Sequence, residues 1–332
     1  MSTFTAAGYE PADREQLFAL MRAVGRSHID DAEFDWWFER NPSSRRLISL
    51  AHADGRVVGI AAMSFFRMLI DGREQVVAVP VHVATDAAFR RQGVFSALEL
   101  RNEAEAAAAG APLTLTFPNA VSHRIFVRDL GWHDLPGRRV WARPLRAASV
   151  VRYLFGREAG GGGLRPPSPD ARKYGPVRVE PLARFSPQAG AVWRDSATGN
   201  QFVRDETFLN WRYADSPRDY RRFGAYRDSR LAGFAVVGHT VKHGVSSGFL
   251  ADLVAPGEEE QLALLHRCVA ELAPSTDALI ALVPRAQRRS FLRAGFLPTH
   301  KRIRFVGKSL DGRPLLGAEA EWHFTLGDFD FF

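Results

Sequence analysis

The sequence is short of cysteine, of lysine and of long apolar runs, and each shortage excludes something. Cys268 is the one cysteine, so no disulfide can close within the chain, and a reducing compartment is expected. Its surroundings, Leu262 to Leu272, read as a buried helix, which argues against a nucleophilic thiol. No apolar stretch approaches the roughly 20 residues of a membrane span. Met1 to Gln16 have neither the basic start nor the apolar core of a signal peptide. Together these absences give the cytoplasm as the expected location. Only Lys173 and Lys242 precede Lys301, so dispersed arginines carry most of the net charge of +7 and the pI near 10.0. They form no long basic block and no basic face interleaved with aromatics, so no nucleic-acid partner is expected. No metal site is expected either. What remains is 332 residues, 46% of them hydrophobic, enough for two soluble domains with cores of their own.

The most informative stretch is Val76 to Phe95 with the alanine-rich segment after it. A β-rich run reaches Thr85, then comes Arg90-Arg91-Gln92-Gly93-Val94-Phe95, and Ser96 to Ala109 read as helix, stopped by Gly110. A helix start offers unpaired backbone N–H groups and the positive end of the dipole. Gly93 would let that backbone approach a phosphate, and Arg90 and Arg91 add charge. Upstream, Arg46–His52, Val57–Leu69 and Gln75–Thr85 read as a three-strand meander, with turns at Asp54-Gly55 and Asp71-Gly72. Pro80 cannot donate to a ladder, so it marks an edge or a bulge. Downstream, Leu113–Phe117 alternates as a strand and Val121–Leu130 reads as a helix ending at Gly131-Trp132. The aromatic cluster Phe34 to Phe38 is expected in a core, with a substrate cleft as the other possibility.

Four glycines and three prolines between Arg157 and Gly175 cannot build a packed element. The expected organisation is a domain over 1–150, a linker over 151–175 and a second domain over 176–332. The second half repeats the first. Trp36 to Pro42 corresponds to Trp211 to Pro217, Gly55 to Gly59 to Ser229 to Gly233, Leu113–Pro118 to Ala278–Pro284, and Arg128 to Trp132 to Leu292 to Phe296. Where the first copy has Arg-x-x-Gly, the second has Pro256-Gly257-Glu258-Glu259-Glu260. Three carboxylates there would satisfy the helix dipole and repel a phosphate.

The order strand, basic glycine loop, helix, strand, helix and Gly-aromatic resembles the GNAT N-acetyltransferase superfamily, particularly its tandem bacterial members. Arg90, Gly93 and Phe95 fall on the three fixed positions of its acyl-CoA motif, with Phe95 in place of a small residue. The resemblance implies a mixed-sheet α/β (α+β type) fold in two GNAT-like domains, the second degenerate. It implies acetyl-CoA as acyl donor, a small-molecule, sugar or peptide amine as acceptor, and direct transfer in a ternary complex. It further implies that backbone N–H groups of Arg91, Gln92, Gly93, Val94, Phe95 and Ser96 hold the pyrophosphate beside Arg90. Val83, Ala84 and Thr85 would pair with the pantetheine arm, and Asn119 and Phe126 would complete the donor contacts.

For proton transfer, His82 on the third strand and His123 on the helix after Asn119 are the candidates. A structural histidine is the plainer reading of His82. Val127 stands where many family members have a tyrosine acid. Asp328 and Asp330 near the C-terminus read as a solvated acidic tail. Two alternatives stay open: a same-fold transferase with an aminoacyl-tRNA donor, and a non-catalytic CoA-binding sensor or scaffold.

Overall fold

The computed structural model describes residues 4–43, 45–146, 176–242, 245–315 and 320–329. The linker expected over 151–175 lies outside them. In chain order the first half holds β1 (Thr5–Gly8), α1 (Arg14–Ala23), α2 (Asp31–Phe34), β2 (Arg46–Ala53), β3 (Arg56–Ile70), β4 (Arg73–Thr85), α3 (Val94–Ala108), β5 (Leu113–Thr116), α4 (Ala120–Arg124) and β6 (His133–Pro144). The second half holds β7 (Arg178–Pro181), α5 (Pro187–Ser196), β8 (Asn200–Phe202), α6 (Glu206–Leu209), β9 (Tyr220–Arg227), β10 (Arg230–Lys242), β11 (Val245–Val254), α7 (Glu258–Leu272), β12 (Ala278–Leu282), α8 (Arg288–Arg293), β13 (Leu297–Ser309) and β14 (Trp322–His323). The mixed α/β class expected from the sequence is the one observed.

The chain folds into two compact units: Met1–Gly137 with Arg304–Trp322, and Arg138–Ile303 with His323–Phe332. Both units draw on residues from both halves of the sequence. In unit 1, β5 finds its antiparallel neighbour in the end of β13, where Val306 to Ser309 register against Thr116 to Leu113. In unit 2, β12 pairs with the end of β6, Val140 to Pro144. Each unit is thus completed by a strand from the far half of the sequence, which no local pattern announces.

Unit 1 is a meander, β1-β2-β3-β4, followed by β5 parallel to β4. Its two tight turns use left-handed pairs, Asp54-Gly55 at φ 50 and 73, and Asp71-Gly72 at φ 48 and 74. α1 buries Leu17, Leu20 and Met21. α3 lies against β2 and β3, with Val94 and Leu98 in a cluster with Ala51, Val58 and Ala61. At Gly59 the approach is so close that an added Cβ would meet Val94 and Ala51. Unit 2 orders its strands β6-β12-β11-β10-β9-β7, with β11 and β12 parallel. Its core gathers Leu264, Leu265, Cys268 and Val269 of α7 with Ala235, Leu250, Leu279, Phe291 and Phe296. Burial raises the Cys268 thiol far above its ordinary range, in keeping with a packing role.

The repeat read from the sequence reappears as backbone geometry. Asp30 and Asp205 each cap a short helix by accepting from the N–H three residues on, Glu33 and Phe208. Both helices widen into a π turn, Asp35–Glu39 and Asn210–Ala214. The left-handed turn at Asp54-Gly55 returns at Asp228-Ser229, and Gly131 matches Gly295 in positive φ.

Candidate functional site

The site expected at the end of β4 is built from three local departures from regular structure. First, β4 carries one residue too many against β3. Ile60 registers with Ala84 but Ala62 with Val81, so His82 and Val83 together oppose Ala61. His82 takes the left-handed conformation that such a bulge needs, at φ 51. Second, β4 and its parallel neighbour register only at Ala78 and Thr114. Beyond Pro80 the contact passes to a side chain, Thr116 Oγ1 donating to Pro80 O at 3.3 Å. Pro80, which has no N–H to give, stands opposite Met63 at this parting of the strands. Third, the loop between β4 and α3 turns through two left-handed residues, Arg91 at φ 62 and Gly93 at φ 81.

The loop is held from beneath. Asp86 Oδ1 accepts from Ala88 N at 2.9 Å, and Asp86 Oδ2 from Arg56 at 2.8 Å. The Ala88 N–H and then Arg56 hold the Asp86 carboxyl below its ordinary range. Arg90 Nε reaches back to Thr85 O at 3.3 Å, and Gln92 Nε2 donates to Ala88 O at 2.8 Å. Gly93 caps α3 with no side-chain acceptor and no acidic residue in the first turn. Nothing lies within 4 Å of where a Gly93 Cβ would be. Val94, Phe95 and Ser96 therefore begin the helix without an internal anion. Such a cradle fits an anionic phosphate group, and the bulged, parting strand beside it fits an extended arm.

The other residues singled out in the sequence have separate surroundings. Phe95 packs edge-on to Phe126 with ring centroids 5.3 Å apart, and Phe126 lies 4.5 Å from Trp132. Phe126 is buried in that cluster with Leu130 and Val306. Asn119 caps α4, its Oδ1 accepting from Val121 N and Ser122 N. His82 is buried edge-on to Trp37 and Phe38, at 5.3 and 5.5 Å. Trp36, Trp37 and Phe38 are themselves buried, and Trp37 Nε1 donates to Ser64 Oγ at 2.9 Å. His123 differs: its side chain is partly exposed, and Nε2 lies 2.7 Å from Asp134 Oδ1. No group of His, Cys, Asp and Glu among the described residues could hold a metal ion.

Sequence reasoning missed Asp134 and two buried polar clusters. In unit 1, Glu103 accepts from Trp132 Nε1 at 2.7 Å and from Lys308 Nζ at 2.5 Å. One turn earlier Glu99 is fully buried, with no hydrogen-bond partner for either carboxylate oxygen among the described residues. Burial and then the Glu103 charge hold Glu99 well above the usual carboxylate range, against Lys308. In unit 2, Arg204 bridges Asp252 at 2.7 Å and Asp328 at 2.5 Å, and Tyr213 donates to Asp252 Oδ2 at 2.7 Å. Burial opposes the Arg204 charge, yet the two aspartates outweigh it and hold the guanidinium ionised. The solvated tail expected at Asp328 is thereby overturned, because Arg204 draws that carboxylate inside; Asp330 lies outside the described residues.

Comparison with known proteins agrees with this geometry. The family model described as acetyltransferase (GNAT) domain matches residues 8–134. No curated protein matches the chain by sequence. Among solved structures, a GCN5-related N-acetyltransferase from Anabaena variabilis is 13% identical over 93% of this chain and 73% of its own, with a TM-score of 0.64. A tandem GNAT protein from the clavulanic acid biosynthesis pathway is 13% identical over 94% of this chain and 100% of its own, TM-score 0.61. Saccharomyces cerevisiae N-myristoyltransferase with bound myristoyl-CoA is 10% identical over 92% of this chain and 83% of its own, TM-score 0.59. At these identities the likeness is one of fold. Residues 8–134 thus match the GNAT acetyltransferase domain, and over nearly its whole length the chain has the fold of GNAT proteins, as two GNAT-like units in tandem.

Proposed function

We propose that the chain is an acyl-CoA-dependent N-acyltransferase that transfers an acetyl group to a primary amine by direct attack in a ternary complex. One observation carries this reading: the glycine-capped start of α3, free of internal anions, beside the bulged end of β4. Backbone N–H groups from Arg91 to Ser96 would hold the pyrophosphate, with Arg90 and Arg91 supplying charge. The extended backbone of Val83, Ala84 and Thr85 would pair with the pantetheine arm, and an N–H freed from the ladder at the bulge would polarise the thioester carbonyl. Asn119, at the start of α4, borders the same end of the sheet. Phe126 supports the site through Phe95. The donor supplies an activated acyl carbon, and the protein positions it, polarises it and moves a proton.

Unit 2 supports assigning the donor to unit 1 alone. Its corresponding helix begins with Glu258, Glu259 and Glu260, and Glu260 closes over Gly257. The acceptor is a small molecule, amino sugar or peptide bearing a free amine, and the reaction takes place in the cytoplasm. The fold shared with a myristoyl-CoA-bound enzyme makes acyl length a measurable property, by competing acetyl-CoA against longer acyl-CoAs.

The test is calorimetric titration of acetyl-CoA into the wild type and Gly93→Trp. The indole would fill the space above Gly93, and its φ of 81 suits glycine. Binding by the wild type and none by a variant with an unchanged circular dichroism spectrum is the expected result. Undiminished affinity in Gly93→Trp, or none in the wild type, would overturn the assignment.

A further inference from the structure

The two histidines singled out in the sequence have opposite surroundings, and one of them is set up to handle a proton. His82 is buried against two aromatic rings. His123 is partly exposed, and it meets a carboxylate that comes from a different element, Asp134 at the start of β6. The Nε2 to Oδ1 distance is 2.7 Å. A carboxylate accepts only, so the neutral imidazole must place its proton on Nε2, which leaves the Nδ1 lone pair available. Nδ1 has no hydrogen-bond partner among the described residues. Asp129, the other carboxylate near this helix, is engaged by Arg128 at 2.7 Å and does not compete.

Position supports the same role. α4 opens directly after β5, the strand whose Thr116 touches Pro80 across the parting from β4. His123 lies four residues before Val127, about one helical turn. Val127 cannot carry a proton. A side chain one turn nearer the capping Asn119 can.

We infer that His123, held in one tautomer by Asp134, is the proton shuttle of the reaction and that Asp134 is its positioning residue. The inference rests on the acyltransferase reading above. As the amine nitrogen forms its bond to the acyl carbon, Nδ1 takes the proton that the nitrogen loses. The carbon–sulfur bond breaks with its electron pair going to sulfur. The imidazolium then gives the same proton to the thiolate, so amide and thiol leave and the ring is neutral again. Asp134 stabilises the transient imidazolium and keeps Nε2 protonated without taking the proton itself.

Three measurements on the full chain test this. Heteronuclear NMR of the histidine ring nitrogens in the free protein should show Nε2–H in the wild type, and mixed tautomers in Asp134→Asn. Turnover with acetyl-CoA and a panel of primary amines (a lysine peptide, glucosamine and spermidine) should fall by about 10²-fold or more in His123→Ala. It should fall by at least about tenfold in Asp134→Asn and recover in part in Asp134→Glu, with KM for acetyl-CoA little changed. Calorimetry should give acetyl-CoA affinities within about twofold of wild type for all three variants. An Nδ1–H tautomer in the wild type, or turnover in His123→Ala within about twofold of wild type, would overturn the inference. Failure of the wild type to bind acetyl-CoA would instead remove the acyltransferase reading, while the tautomer would still be read independently.

Discussion

The helices that follow the bulged strands of the two units, α3 and α7, both run for 15 residues from a glycine cap, yet charge is distributed in them in opposite ways. α3 has no acidic residue in its first turn, and Gly93 is left-handed with open space above it. α7 has three glutamates there; Arg227 clamps Glu259 at 2.6 Å and Glu260 at 2.7 Å. Along the faces the order reverses. α3 buries Glu99, Asn102 and Glu103. Counted from the glycine caps, Ala263 takes the place of Glu99, and α7 buries Leu264, Leu265, Cys268 and Val269. One helix leaves its positive end without an acidic side chain and carries polar groups on its buried face. The other neutralises its own end and packs through apolar side chains. Both cannot hold at one helix start, because an internal carboxylate occupies the same N–H groups that a phosphate would need.

The bulges differ in the same sense. The β11 ladder slips between Val236 and Val237, leaving Ala251 as the extra residue. There the C-terminal segment moves in: an added Cβ on Gly327 would meet Tyr213 and Ala251 O, and Arg212 donates to the carbonyls of Gly327 and Phe329 at 3.0 and 2.8 Å. Unit 2 thus covers with its own chain the feature that unit 1 is proposed to use for the acyl donor.

Four changes would break or sharpen this contrast. Gly93→Trp has the largest expected effect, complete loss of acetyl-CoA binding by calorimetry. Next, Arg204→Leu leaves Asp252 and Asp328 buried without their cation. A loss of about 3–5 kcal/mol in denaturant unfolding is expected, with donor affinity of the folded protein intact. Third, Glu99→Gln tests the polar face of α3. The folded protein holds a proton on Glu99 that the unfolded chain releases above its ordinary pKa of 4.5. Stability therefore falls as pH rises from that value toward the raised folded pKa, by roughly 1.4 kcal/mol per unit. The variant should lose this slope, seen as denaturation midpoints that converge across the same pH range; an unchanged slope would show that Glu99 is not its source. The smallest effect is expected from Ser96→Glu, which gives α3 an acidic first turn like that of α7. Acetyl-CoA affinity should drop about tenfold, more at low ionic strength, and equal affinity would remove the electrostatic part of the comparison.

Much of this was legible in local pattern. The meander, its Asp-Gly turns, the glycine loop before α3 and the acidic start of α7 are short-range features, each set by a few neighbouring residues. The repeat was legible because its marks are caps, turns and aromatics at fixed spacing. The bulge was only hinted at by Pro80; the extra residue sits two positions later, at His82 and Val83, and no local propensity marks a histidine for positive φ. Buried carboxylates were illegible because carboxylates on a helix ordinarily face water. The spacing of Leu98, Asn102 and Ala106 with Glu99 and Glu103 does trace one face, but only when polar letters are allowed inside.

The sequence by itself determined the elements, the twofold repeat and which of the two helix starts carries acidic residues, since those depend on residues within a turn of one another. Only the tertiary structure decided which strands complete which unit, that Asp134 meets His123, and that Lys308 and Asp328 are drawn to partners 205 and 124 residues away. Pairings across such distances arise from the closing of sheets and the need to neutralise buried charge, and neither leaves a mark on the residues' immediate neighbours in sequence.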